Sequence, residues 1–186
     1  MSRKLLAVYG LKWNPFTPDI PDDALWRTAE VEHFCWRIEQ LVRDGGFALI
    51  TGESGTGKSI TLRLLARHLA AMPDITTGVL TRPQSSIADF YRELGEIFGV
   101  PLKVHYRWAS FKDLRAKWEN HLETTLLRPV LLIDETQEMA PDVLSELRLL
   151  ASAHFDSRRI ITVVLSGDGR LSELLRLPEL IPLGTR

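Results

Sequence analysis

The stretch that decides the fold of this 186-residue chain is Gly52-Glu53-Ser54-Gly55-Thr56-Gly57-Lys58-Ser59. It matches the pattern G-x-x-x-x-G-K-[ST] at every fixed position. It also lies between a short apolar run, residues 47–51, and a run with leucines at helical spacing, residues 58–72. Glycines let the backbone N–H groups converge on phosphate oxygens, and the helix that follows adds a partial positive charge. The stretch therefore predicts a phosphate-binding loop between a strand and a helix.

Two side chains of this loop have predicted roles of their own. Lys58 is expected to reach the β- and γ-phosphates of ATP, and the Ser59 hydroxyl is a hard oxygen ligand for Mg²⁺. The fixed residues would occur by chance in roughly one chain of this length in a hundred. The other residues predicted to bind the nucleotide in this loop are Gly52, Glu53, Ser54, Gly55, Thr56 and Gly57.

A second motif, Asp134-Glu135, directly follows the apolar run at residues 130–133. Open α/β sheets bind ligands at the carboxyl ends of their strands. Asp134 is expected to hold Mg²⁺ through its water shell, as a Walker-B acid does. Glu135 is expected to point to the other side of the strand and to act as general base on the attacking water. The alternative is that the pair only caps a strand or opens a turn.

Apolar runs and amphipathic runs alternate along the chain, and Gly or Pro closes most of them. Such alternation predicts an α/β fold with a mostly parallel sheet and helices on both faces. The predicted strands are 47–51, 75–81, 130–133 and 160–165, and the predicted helices are 28–44, 58–72, 86–98, 110–126, 141–151 and 171–177.

The composition excludes several classes of protein. Lys plus Arg number 23 against 24 Asp plus Glu, so no global basic signature points to nucleic acid. The single cysteine, Cys35, rules out an internal disulfide. We find neither an apolar run of about 18 residues nor a signal sequence, so a cytoplasmic protein is expected.

Four segments resemble the ExeA-like AAA+ ATPases, a group that includes a secretion-associated ATPase and the helper ATPases of bacterial transposons. The segments are Tyr9-Gly10-Leu11, Asn14-Pro15-Phe16, the loop at 52–59 and Leu132-Ile133-Asp134-Glu135-Thr136-Gln137. The resemblance implies an ATPase that uses ATP and Mg²⁺ and works as a homo-oligomer. It also implies a three-layer P-loop core with strand order 5-1-4-3-2.

Residues 1–26 are rich in Pro and aromatic residues and are expected to form an arm that packs on the AAA+ core, residues 27–186, without a regular element. The resemblance implies that this arm lies over the adenine. Trp13, Phe16 and Trp26 are the candidates for that packing, and the alternative is that these rings only complete the apolar core.

Two departures from the family pattern bear on the site. Family members often place Asn at the end of the fourth strand as a γ-phosphate sensor, where this chain offers Ser166 and, with less support, Asp168. The sequence also ends at Arg186, so the C-terminal helical lid is expected to be missing. The arginine supplied to a neighbouring subunit is expected to be Arg186, with Arg176, Arg158 and Arg159 as the other candidates.

Two biological roles stay open. The first is a DNA transposition helper with double-stranded DNA and a transposase as partners; the alternative is a secretion or assembly ATPase acting on cell-envelope proteins. A basic stretch at 103–117 could follow a phosphate backbone or could be a solvated helix face. The basic stretch contains Lys103, His105, Arg107, Lys112, Arg115 and Lys117, with Tyr106 and Trp108 between them.

Three other functions are disfavoured. A helicase needs two motor lobes, which one domain cannot supply. Glu135 argues against an adapter that does not hydrolyse ATP and against a small-molecule kinase.

Overall fold

The computed structural model describes residues 3–17, 20–80, 83–84, 86–102, 106–153 and 157–185. Strands and helices alternate along this part of the chain, as predicted. The strands are β1 (Gly46–Thr51), β2 (Ile75–Leu80), β3 (Arg128–Ile133), β4 (Ser152–Ala153), β5 (Arg158–Arg159) and β6 (Thr162–Gly167). The helices are α1 (Arg3–Val8), α2 (Ala29–Asp44), α3 (Lys58–Ala70), α4 (Ile87–Phe98), α5 (Arg107–Asn120), α6 (Pro141–Leu150), α7 (Gly169–Leu174) and α8 (Ile181–Gly184).

Four parallel strands form the main sheet of the described residues, in the order β1-β6-β3-β2. This is the 1-4-3-2 part of the predicted order, because the short β4 and β5 pair with each other in a separate antiparallel ribbon. A strand beyond β1 is not among the described residues. In the pairing of β1 with β6, Gly46 lies beside Thr162, and in the pairing of β3 with β6, Ile133 lies beside Leu165. The carboxyl ends of β1, β6 and β3 therefore meet at one edge.

The sheet separates two apolar layers. Alternate residues of β3 face opposite sides: Leu131 and Ile133 pack in the cluster with α4, α5 and α6, whereas Val130 and Leu132 pack with α2 and α3. A strand that is covered on both faces is apolar at every position, which is why residues 130–133 have no polar member. The predicted three-layer α/β fold is confirmed.

Local signals fix several helix ends. The Thr28 and Ser86 side chains accept hydrogen bonds from the backbone N–H groups of Val31 and Asp89, so α2 and α4 begin with side-chain caps. Each of these helices is followed by a glycine at positive φ, 72° at Gly45 and 63° at Gly99, a region that favours glycine.

The predicted start of helix α5 at Ser110 is wrong. The helix begins at Arg107, and the Ser110 N–H already donates to the Tyr106 carbonyl within its first turn. After Asn120 the chain makes a π-helical turn, His121–Thr125, and leaves it at Leu126 with φ 57°. The capping-box spacing at 110–113 is therefore a coincidence inside a helix.

The arm does contain a regular element, contrary to expectation, because Arg3–Val8 forms α1. Its later part lies against α3: Arg63 pairs with Asp22 and donates to the Ile20 carbonyl at 2.5 Å, and Arg67 pairs with Asp23. The three aromatic side chains assigned to adenine packing are exposed, by 85% at Phe16 and 86% at Trp26. They do not complete the core, and their packing on adenine stays a prediction.

Candidate nucleotide site

The glycine-rich loop joins the end of β1 to the start of α3, as predicted. Gly55 and Gly57 have φ values of 83° and 90°, which glycine adopts without strain. Gly52 is required for a different reason, because a Cβ there would lie 2.8 Å from Thr56 Oγ1. That hydroxyl donates to the Glu53 carbonyl at 2.8 Å, which closes the loop.

Lys58 lies inside the curve of this loop and is only 9% exposed. Its Nζ donates to the carbonyls of Gly52 and Glu53, at 2.9 Å each. An ammonium group at such a depth needs oxygen partners. Phosphate oxygens make stronger, charge-assisted bonds than these carbonyls do, so the lysine is positioned to exchange one set of partners for the other. Ser59 follows in the first turn of α3 and is exposed.

Asp134 follows β3, and the neighbouring strand β6 brings Ser166 beside it. The Ser166 hydroxyl is fully buried and donates to Asp134 Oδ1 at 2.8 Å. The backbone N–H of Glu135 donates to the same oxygen at 3.0 Å. Two donors on one oxygen fix the orientation of the carboxylate at the sheet edge that carries the phosphate loop.

The expectation that Glu135 continues the alternation of β3 is wrong, because the strand ends at Ile133. It has left-handed backbone angles, φ 50° and ψ 39°, and begins the 3₁₀ turn Thr136–Glu138. A non-glycine residue in this region carries backbone strain on the order of 1 kcal/mol, and such residues cluster at functional sites. Its side chain is therefore aimed by the turn rather than by the strand.

Gln137 is a site residue for which the sequence analysis gave no role. Its Nε2 donates to Glu135 Oε2, and its Oε1 accepts the backbone N–H of Asp168 at 3.2 Å. A Cβ at Gly167 would lie 2.5 Å from Gln137 Oε1, so the glycine makes room for this bridge. The sequence signals were the position of Gln137, two residues after the acidic pair, and its place in the segment that resembles the ExeA-like ATPases.

A charged cluster extends the same edge. Arg170 pairs with Glu138 at 2.8 Å and with Asp168 at 2.9 Å. The hydrogen bond from Arg170 is the main cause that holds the pKa of the Asp168 carboxyl below its ordinary value, and the charge of Lys58 adds to the effect. Asp168 and Arg170 thus lie at the mouth of the candidate site.

Mg²⁺ is suited to the oxygen groups at this edge. The Ser59 hydroxyl and the Asp134 carboxylate are hard ligands, and a magnesium ion bound with nucleotide phosphates needs only one or two protein oxygens and keeps several waters. No cluster of three or more His, Cys, Asp or Glu side chains able to hold a metal occurs within the described ranges. These two residues are the ones that would hold the ion.

The structure separates the candidate arginines. Arg186 lies outside the described residues. Arg158 and Arg159 form β5, which precedes β6, so they lie at the opposite end of the sheet from the phosphate loop of their own chain. Arg158 pairs with Glu123 at 2.6 Å. The identity of the arginine supplied to a neighbour stays a prediction.

The basic stretch lies largely on α5. Lys112 Nζ stands 5.3 Å from the ring centre of Trp108, and this ring stacks on Phe111. Two of the cations have acidic partners: Arg107 is bonded to the buried Glu146, and Arg115 pairs with Glu119 at 3.7 Å. Lys103 and His105 lie outside the described residues.

The parallel sheet, the loop between β1 and α3 and the acidic pair after β3 define a P-loop nucleoside triphosphatase. The model of one family, described as the AAA domain, matches residues 42–175. The chain belongs to the AAA domain family, and the resemblance to its ExeA-like group is confirmed by a curated relative. This relative is General secretion pathway protein A of Aeromonas hydrophila, 34% identical over 145 residues.

The match covers 76% of this chain and 26% of that protein, so the chain spans about a quarter of its length. Two solved structures share the fold. Cdc6p of Pyrobaculum aerophilum has a TM-score of 0.67 at 20% identity, with 90% of this chain and 46% of that one covered. A structure of Drosophila ORC bound to AT-rich DNA and Cdc6 has a TM-score of 0.57 at 14% identity, with 82% and 51% covered.

None of the helices in the described ranges is long and apolar enough to cross a membrane.

Proposed function

We propose that the protein binds Mg-ATP at residues 52–59, hydrolyses it, and works as an oligomeric nucleotide switch. The observation that carries this proposal is that two groups of residues, from separate parts of the sequence, lie at the same edge of the sheet. One is the loop that surrounds Lys58, and the other is the Asp134 carboxylate fixed by Ser166. Membership of the AAA domain family supports the proposal.

The chain's own residues divide the work of hydrolysis. The loop N–H groups and Lys58 bind the phosphates, while Ser59 and Asp134 would hold the metal ion. A magnesium ion held by these two residues would supply positive charge to the phosphate oxygens during transfer. Glu135 accepts the proton of the attacking water, and Gln137 restrains its carboxylate through the bond to Oε2. Because Gln137 also binds the Asp168 N–H, the position of the base is tied to the end of β6.

The proposal that the protein works as an oligomer rests on the negative charge that hydrolysis develops at the nucleotide. Negative charge that develops on the transferring phosphoryl group is best met by a guanidinium, which many P-loop proteins receive from a second subunit. Arg186 is the proposed donor. A separate part of the proposal concerns the arm, residues 1–26. Its side chains Trp13, Phe16 and Trp26 are exposed, and we expect them to cover the adenine.

For the biological process, the sequence relative favours a secretion or assembly ATPase that acts on protein partners, because that relative is named for the general secretion pathway. A second candidate is a DNA transposition helper with double-stranded DNA and a transposase as partners. The exposed Trp108 and Lys112 of α5 support contact with nucleic acid, since base and phosphate groups bind such pairs. The acidic partners of Arg107 and Arg115 weaken that support.

Phosphate release from ATP tests both levels of the proposal. We expect Mg²⁺-dependent turnover by the purified chain, loss of turnover on chelation, and none in Lys58→Ala. Addition of double-stranded DNA separates the processes: stimulation that disappears in Trp108→Ala supports the transposition role, and a DNA-independent rate supports the secretion role. Turnover that persists in Lys58→Ala would contradict the assigned site.

A further inference from the structure

A cavity of about 370 Å³ lies at the end of the sheet opposite the phosphate loop. It is lined where α2 ends and where β3, β5 and β6 begin, by residues that include Arg43, Arg128, Arg159 and Thr162. The six residues of β1 separate this end of the sheet from the nucleotide loop, a length of about 20 Å at 3.3 Å per residue. The cavity is therefore distinct from the candidate nucleotide site, and its size falls in the range of small-molecule sites.

The lining carries an excess of positive charge. Four arginines, Arg43, Arg128, Arg158 and Arg159, line the cavity together with Asp44, and Glu123 pairs with Arg158. Arg128 donates to the Arg43 carbonyl, which holds it in place without neutralising it. Over the described parts of the chain, none of Arg43, Arg128 and Arg159 forms an ion pair with an acidic side chain. The four arginines, counted with the two carboxylates of Asp44 and Glu123, leave a net charge of plus two.

An unpaired hydroxyl lies in the same lining. Thr162 is 1% exposed, and its Oγ1 has no hydrogen-bond partner among the described residues. Buried hydroxyl groups are normally hydrogen-bonded, because an unpaired one loses its solvation without compensation. Gly45 adds to the argument, since a Cβ there would lie 2.9 Å from Arg159 Cβ. The glycine therefore lets Arg159 approach the end of α2.

We propose that this cavity binds a compact oxyanion with at least two negative charges, held by Arg43, Arg159 and the Thr162 hydroxyl. The planar guanidinium fork matches two oxygens of a phosphate or a carboxylate at once. The net positive charge of the lining favours a ligand that carries at least two negative charges. The Thr162 hydroxyl, which has no hydrogen-bond partner among the described residues, would supply a neutral donor. A phosphate ester and a polycarboxylate share this chemistry, and the experiment separates them.

The test is a calorimetric titration of the full chain with pyrophosphate and, separately, with citrate. The chain carries Lys58→Ala in every sample, so that the phosphate loop does not compete for the probe. We expect one saturable site. Tighter binding of pyrophosphate assigns a phosphate-bearing ligand, and tighter binding of citrate assigns a carboxylate.

Three further variants locate the binding. The pair Arg43→Ala and Arg159→Ala should weaken it about tenfold or more, because two charge-assisted contacts are lost. Thr162→Val keeps the side-chain shape and removes the hydroxyl, so it should weaken binding several-fold without lowering the melting temperature. The control pair Arg37→Ala and Arg92→Ala removes the same charge from exposed positions and should leave binding unchanged.

Absence of saturable binding for both probes would overturn the proposal. An equal loss in the control pair would also overturn it, since the attraction would then come from overall charge. If the two arginine substitutions unfold the chain, the Thr162→Val result decides: unchanged affinity in that variant excludes the cavity.

Discussion

Ser166 and Asp134 are joined by a hydrogen bond of 2.8 Å, although 32 positions separate them in the sequence. The contact exists because β3 and β6 are parallel neighbours, so that the residues after Ile133 and Leu165 reach the same edge together. The resemblance to a known family suggested the Ser166 hydroxyl as a γ-phosphate sensor. Here it contacts the acidic residue expected to hold the metal, and this contact gives Ser166 a specific role to test.

Ser166→Ala is expected to raise the Mg²⁺ concentration needed for half-maximal ATP turnover by about 10- to 100-fold, the usual effect of removing an outer hydrogen bond from a metal ligand. Nucleotide binding without Mg²⁺ should be unchanged, because the phosphate loop is intact. Turnover measured against Mg²⁺ concentration checks this. An unshifted Mg²⁺ dependence would show that the bond to Asp134 does not influence the metal.

Lys58→Ala is expected to abolish tight ATP binding. The ammonium is the positive charge enclosed by the loop, and its removal leaves the phosphate charge uncompensated. Nucleotide titration by calorimetry measures the effect, with Lys112→Ala on the exposed face of α5 as a control of equal charge change. Equal affinity in the variant and in the native chain would place the nucleotide site elsewhere.

Glu135→Gln is expected to keep ATP binding and to lose turnover, since the amide preserves the shape and cannot accept the proton. Its matched partner is Gln137→Ala, which should lower turnover less because it only frees the base. Phosphate release and ATP affinity are measured on the same preparations. Native turnover in Glu135→Gln would move the general base to another residue.

Specific activity is expected to rise with protein concentration, because an arginine from a second subunit completes the site. Turnover is followed across a dilution series, with light scattering to report the association state. Arg186→Ala should flatten the curve at a low rate, whereas Arg158→Ala should leave it nearly unchanged. A flat curve for the native chain, over a range in which it dissociates, would show that each subunit is self-sufficient.

A buried acid between helices predicts a pH dependence of stability. Glu146 is 2% exposed and accepts hydrogen bonds from Tyr91 at 2.5 Å and from Arg107 Nε at 2.9 Å. Burial by itself would raise the pKa of the Glu146 carboxyl, but the bonds from Arg107 and Tyr91 hold this pKa below its ordinary value of 4.5. The stabilisation is therefore complete above that value and is lost as the pH falls through the lower, folded-state pKa.

Glu146→Gln should accordingly lower the free energy of unfolding at neutral pH by about 1–3 kcal/mol, and the difference from the native chain should shrink as the pH falls from 4.5 through the lower, folded-state pKa. Urea unfolding at a series of pH values measures it. Glu123→Gln, which alters an exposed ion pair, should cost less than about 1 kcal/mol. A difference that stays constant to low pH would mean that Glu146 is not ionised in the folded chain.

Local patterns predicted the local structure well. Residues 52–59 encode a turn that needs glycine for conformation at Gly55 and Gly57, and this requirement is visible in the sequence. The apolar run at 130–133 encoded a strand buried on both faces. The capping-box pattern misled at Ser110, because the same residue spacing occurs inside helices, and tertiary packing of Trp118 and Leu114 decided where α5 runs.

The sequence by itself determined the phosphate loop, the acidic pair and the three-layer class of fold, because each depends on residues that are close together along the chain. Only the tertiary structure decided that Ser166 binds Asp134, that Gln137 links Glu135 to the end of β6, and that four arginines and Thr162 line one cavity. The physical reason is that these contacts follow from the order of the strands. Strand order is set by the packing of the whole sheet between its helices, and it could be expected here only from the resemblance to a known family, because no local pattern of residues determines it.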